Sequence, residues 1–176
     1  MEEENPIKPF IFIFTFPGII FHEFSHKIFC DILKIKVYEV EYLHFSEYDD
    51  EIGSVSHAPI FSFYKSLLVC IAPLILGTIL FFILMCLFKI NAFPSIKFLH
   101  YTIKIVILWL ATAIAYHSFP SKTDGINIIN TAKLENNNLF NKSLGYLIGG
   151  VISVITLIPL YGLIYTLFII YFFYHF

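Results

Sequence analysis

His22, Glu23 and His26 stand in the order H-E-x-x-H. On a helix, residues four apart share one face, one turn above the other. Two imidazoles so placed can bind one Zn²⁺, and the Glu beside the first can take a proton from a water held on the metal. Zinc lowers the pKa of such a water towards ~7, which makes it a nucleophile at neutral pH. A hydrolytic zinc site has three protein ligands and one open position. The third ligand must come from elsewhere in the chain, and His44, His57, His117, Asp124 and the acids of the first connecting loop are the candidates. Asp124 is the first choice. It lies in Phe119-Pro120-Ser121-Lys122-Thr123-Asp124-Gly125, where Pro120 ends a helix and Gly125 suits a tight turn. A loop of this kind could fold back and aim its carboxylate inward; irregular backbone survives at membrane depth when buried in protein or lining a wet cavity. His117 is the alternative third ligand, or a catalytic residue that hydrogen-bonds the oxyanion, or a structural histidine at a helix end. Ser25 reads as a small residue that lets helices pack closely.

The elements that must carry these residues are apolar. The chain has 176 residues, of which 58% are hydrophobic, 19% aromatic and 14% charged; a soluble domain has about 25% charged residues. Twenty-one Phe and eleven Tyr exceed what the interior of one small globule can hide, so lipid is the expected solvent. Four segments are long enough to cross a bilayer as helices: 10 to about 30, 60–88, 98–117 and 144–174. Their runs are continuous, which favours helices over a barrel. Between the first two, Val37-Tyr38-Glu39-Val40-Glu41-Tyr42-Leu43 alternates like a strand. The acidic stretch 47–51 reads as a turn, and 52–56 as the returning strand. The stretch 118–143 is polar and cannot span, although 126–134 suits a short interfacial helix. The expected fold is an all-α polytopic membrane protein of about four transmembrane helices, with a small β-hairpin between the first and second. It forms a single domain over 1–176.

Every basic residue is Lys. With four spans, Lys27, Lys34, Lys36, Lys65, Lys122, Lys133 and Lys142 fall on one side, and Lys8, Lys89, Lys97 and Lys104 on the other. Positive charge favours the cytoplasm, so the two inter-helix loops and the active site are expected towards it. The start, Met1-Glu2-Glu3-Glu4, lacks the positive charge and small-residue cleavage site of a secretory signal, so the first apolar stretch is expected to be retained. The small size and absence of sorting signals suggest a prokaryotic plasma membrane. No basic stripe suits nucleic acid. Cys30, Cys70 and Cys86 match no metal spacing and read as small buried hydrophobes.

A membrane-embedded H-E-x-x-H followed two helices later by a Pro-containing turn ending in Asp-Gly resembles the site-2 protease family of intramembrane zinc metalloproteases. The resemblance rests on His22, Glu23, His26, Asp124 and Gly125, with Ala72-Pro73 similar to the family's Gly-Pro element. It covers about 10–135, the catalytic core, and leaves the helix at 144–174 outside. It implies His22, His26 and Asp124 as zinc ligands, Glu23 as general base, and a transmembrane protein as substrate. Gly77 and His117-Ser118 stand near positions where the family commonly has Asn. The alternative is a non-proteolytic membrane protein that binds or transports metal through the same His pair. A closed four-ligand site would favour it, and an open position favours catalysis.

Overall fold

A long apolar run away from water must satisfy its own backbone N–H and C=O groups, and the helix does so within one segment. The computed structural model describes residues 7–43, 53–90, 97–134, 137–158 and 160–175, with side chains from 12 onward. It is mostly helical. The order is α1 (Ile7–Ile32), β1 (Val37–Glu41), β2 (Ser54–His57), α2 (Phe63–Cys70), α3 (Ala72–Lys89), α4 (Lys97–His117), α5 (Lys122–Ala132), α6 (Leu139–Ile155) and α7 (Tyr161–His175).

Among the described residues, two helical stretches are long and apolar enough to cross a membrane: Phe63–Lys89 and Lys97–Ala132. At 1.5 Å per residue the first reaches about 40 Å, and α4 alone, which forms the 21 residues Lys97–His117 of the second, reaches about 32 Å, against a hydrocarbon core of about 30 Å. The first overlaps the expected span at 60–88, starting three residues later, and the second contains the one expected at 98–117. Outward faces carry Ile79, Ile83, Ile105, Leu163 and Leu167, all exposed.

The expected single helix at 144–174 is divided. α6 stops at Ile155, Leu157 and Ile158 turn tightly on Val154 and Ile155, and Leu160 takes the left-handed backbone at φ 61°. No helix passes through such a residue. α6 and α7 are 17 and 15 residues long, each shorter than a usual span.

α1 and α4 run parallel in a fixed register. Trp109 donates to the Phe14 carbonyl, Gly18 lies against Ala113, and His22 reaches His117. Each step is one helical turn. A Cβ on Gly18 would strike the Ala113 carbonyl, so the missing side chain is what lets the backbones meet. α5 and α6 pack antiparallel through Gly125, Gly145 and Gly149, with Gly125 facing Gly149 and Gly145 facing Ala132. Two apolar cores result. One joins Phe63, Cys70, Ile128, Ala132 and Ile152 from α2, α5 and α6. The other joins Phe81, Met85, Ala111, Ala115 and Ile169 from α3, α4 and α7. The junctions α2/α3 and α4/α5 lie between the two cores.

β1 and β2 form the expected antiparallel hairpin, pairing Val37 with His57, Val40 with Val55 and Glu41 with Ser54. The hairpin packs beside α1. The acidic turn expected at 47–51 lies outside the described residues.

Candidate metal centre

His22 and His26 project from one face of α1, their ring centroids 4.8 Å apart. Each ring is held from behind. His22 Nδ1–H donates to the His117 carbonyl at 2.6 Å, and His26 Nδ1–H donates to the Val69 carbonyl at 2.8 Å. A carbonyl oxygen only accepts, so the Nδ1 atoms carry the protons and the Nε2 atoms of the neutral rings are left as acceptors. Those two Nε2 atoms face each other at 3.1 Å.

Asp124 completes the group, but not from a loop. It occupies the first turn of α5, where Ser121 is the N-cap. Ser121 Oγ accepts from the Asp124 amide, and Asp124 Oδ2 accepts from the Ser121 amide at 2.8 Å. This reciprocal pair is a capping box. It satisfies two amides that the helix start leaves unpaired, and it fixes the carboxylate. Asp124 Oδ1 then stands 3.5 Å from His26 Nε2, and Oδ2 stands 3.8 Å from His22 Nε2. Gly125 is not in the tight turn expected of it. It is helical, and its missing side chain admits the Gly149 carbonyl of α6. The reason is the Ser-x-x-Asp sequence: the box starts the helix at Lys122, before the Gly can turn the chain.

Three acceptors thus converge, and they need a shared cation, a proton or a metal ion. The ligand atoms of His22, His26 and Asp124 all lie within 4.8 Å of one another, and the group could hold a metal ion. Two atoms bound to a tetrahedral zinc at 2.0–2.1 Å are about 3.3 Å apart. The two Nε2 atoms at 3.1 Å lie close to that figure, and the carboxylate approaches His26 at 3.5 Å through Oδ1 and His22 at 3.8 Å through Oδ2. His26 and Asp124 are buried and His22 nearly so, so the charge of a bound ion would act with little screening by water.

Glu23 is buried, with 8% of its surface exposed, between the two histidines in sequence. The backbone just before β2 lies over it. A Cβ on Gly53 would come within 2.6 Å of Glu23 Cγ and 3.1 Å of Oε1. Gly53 was not singled out from the sequence, and nothing local marks it, because the contact joins residues thirty apart.

The other candidates fall into place around this group. The His117 ring does not join it: Nε2 is 2.8 Å from Thr15 Oγ1. His117 acts on the site through its carbonyl. His57 lies on β2 and its Nδ1–H donates to the Ala58 carbonyl at 2.9 Å. His44 lies outside the described residues. Ser25 is fully buried and donates to the Phe21 carbonyl at 2.6 Å, as a small packing residue can. Cys30 and Cys70 are buried as expected, whereas Cys86 is exposed on α3. The Cys70 thiol, next to Val69 in the chain, lies near enough to Asp124 to feel its charge. Gly77 and Ser118, the departures from the family pattern, pack on each other, for a Cβ on Gly77 would strike the Ser118 side chain.

No family model, curated protein or solved structure matches the chain.

Proposed function

We propose that the chain is an integral membrane zinc metalloprotease of the site-2 protease type, which hydrolyses peptide bonds in or near transmembrane segments of other proteins. The observation that carries this reading is the convergence of His22 Nε2, His26 Nε2 and the Asp124 carboxylate beside buried Glu23. His22, His26 and Asp124 are the ligands, and three protein donors leave the position that catalysis requires. Bound there, Zn²⁺ would polarise the scissile carbonyl and lower the pKa of a water towards ~7.

Glu23 takes the proton from the attacking water and returns it to the leaving amine. The His117 carbonyl holds His22 in its ligating orientation; with its ring bonded to Thr15, His117 positions rather than stabilises an oxyanion. A substrate helix must unwind first, because its peptide bonds are shielded by its own hydrogen bonds. Among the described residues each strand of the two-stranded hairpin has one edge without a strand partner, which can hold the unwound segment extended. In this reading α1, α2–α3, α4–α5 and α6–α7 are embedded in the bilayer. The lysine distribution puts the site towards the cytoplasm.

The test is cleavage of model transmembrane substrates in vesicles by the wild-type chain and Glu23→Gln. The variant is expected to keep its metal and lose at least ~100-fold in turnover, the usual worth of a general base. Equal cleavage by both would contradict the assignment. Metal-dependent ion flux without cleavage would favour transport.

A further inference from the structure

The two carbonyls behind the histidines share an origin. In a helix the amide of residue i+4 donates to the carbonyl of residue i. For Val69 that residue is Pro73, which has no N–H and whose ring crowds the same carbonyl. Two backbone bonds flank the gap at the α2/α3 junction: Ile71 donates to Leu67 at 3.0 Å and Ile75 to Ile71 at 3.1 Å. The missing rung is where His26 Nδ1–H enters, at 2.8 Å.

The same device recurs at the end of α4. The amides that could cap the His117 carbonyl belong to the residues three and four further on. The first is Pro120, which has none. The second is Ser121, whose amide is given to Asp124 Oδ2. His22 Nδ1–H takes the vacant place at 2.6 Å. Pro120 and the capping box therefore act together, one withholding an amide and the other engaging the next.

We infer that Pro73 and Pro120 are positioning residues that set the tautomers of His26 and His22. A neutral imidazole carries its proton on either nitrogen, and the acceptor facing one nitrogen decides which. Each proline leaves a backbone carbonyl facing Nδ1, and each Nε2 is thereby turned, unprotonated, towards Asp124. The inference rests on the metalloprotease reading for its consequence in metal binding. The Nδ1–H bonds to the two carbonyls are made whether a proton or a metal ion joins the three acceptors.

The experiment compares wild type with Pro73→Ala, which supplies the missing amide, and with lactic acid at position 73, whose ester link has the alanine side chain and no N–H. Histidine ¹⁵N spectra report the tautomers of the metal-free protein, and competition with a chelator reports zinc affinity. Pro73→Ala is expected to deplete the Nδ1–H form of His26, leave His22 unchanged, and weaken zinc binding about 10–100-fold, as loss of an orienting partner does. Lactic acid is expected to restore both readouts. Pro120→Ala is expected to shift His22 and spare His26. Retention of the Nδ1–H form and wild-type affinity by Pro73→Ala would overturn the inference, as would a lactic acid variant that behaves like the alanine one. If no variant bound zinc, the protease reading would fall while the spectra still decided the tautomer question.

Discussion

Polar groups are kept in different ways at the two ends of this helical assembly. Around the candidate metal centre they are buried and held by directional hydrogen bonds: His22 to the His117 carbonyl, His26 to the Val69 carbonyl, Asp124 to Ser121. At the opposite end, where α3 and α7 finish and α4 begins, cations lie over aromatic faces. Lys89 Nζ stands 4.1 Å from the Phe173 centroid and 5.1 Å from that of Tyr174, and Lys104 Nζ stands 5.5 Å from that of Phe88. The far end tolerates imprecision, because a cation attracted by a ring face has many acceptable positions. The metal end does not, because three acceptors within 4.8 Å of one another repel unless a cation joins them. Sequence position and atomic precision are therefore valued differently in the two regions.

The comparison breaks if substitutions at both ends have similar consequences. Asp124→Asn should have the largest effect. It removes the anionic ligand while keeping the side chain's shape, and zinc affinity is expected to fall by more than the ~10–100-fold of an orienting residue; chelator competition measures this. Gly125→Leu comes next, since its Cβ would meet the Gly149 carbonyl at 2.8 Å. A thermal midpoint in detergent should show a loss of about 1–3 kcal/mol or more, the cost of overpacking. Ser121→Ala removes the N-cap of α5, worth about 1 kcal/mol, and should weaken zinc binding about tenfold by freeing Asp124. Lys89→Ala should cost at most about 0.5–1 kcal/mol and leave zinc affinity unchanged. A metal defect in Lys89→Ala would show that the two ends are not independent.

The same contrast governs what was legible in the sequence. The H-E-x-x-H pair, the apolar stretches now seen at Phe63–Lys89 and Lys97–His117, and strand β1 follow from local pattern, and each is found where expected. α5 starts at Lys122, four residues before the expected 126, although the signal is present: Ser121-Lys122-Thr123-Asp124 is a capping box sequence ahead of an apolar run. The break between α6 and α7 also had a sequence signal in Pro159, masked by the apolar residues around it. The partners of His22 and His26 had no signal in residue type, because they are backbone carbonyls. Only the neighbouring prolines hint at them, and only once the helices are known to meet there. Gly53 over Glu23 was likewise illegible, since the contact depends on how the hairpin folds back onto α1.

X-ray absorption of the purified, zinc-loaded wild-type chain tests the proposed centre most directly. The expected spectrum shows about one zinc per chain with two imidazole nitrogens and two oxygens at about 2.0–2.2 Å, one oxygen from Asp124 and one exchangeable. A protein that binds no stoichiometric metal, or one whose zinc has four protein ligands including a sulfur from the nearby Cys70, would contradict a hydrolytic centre built on His22, His26 and Asp124.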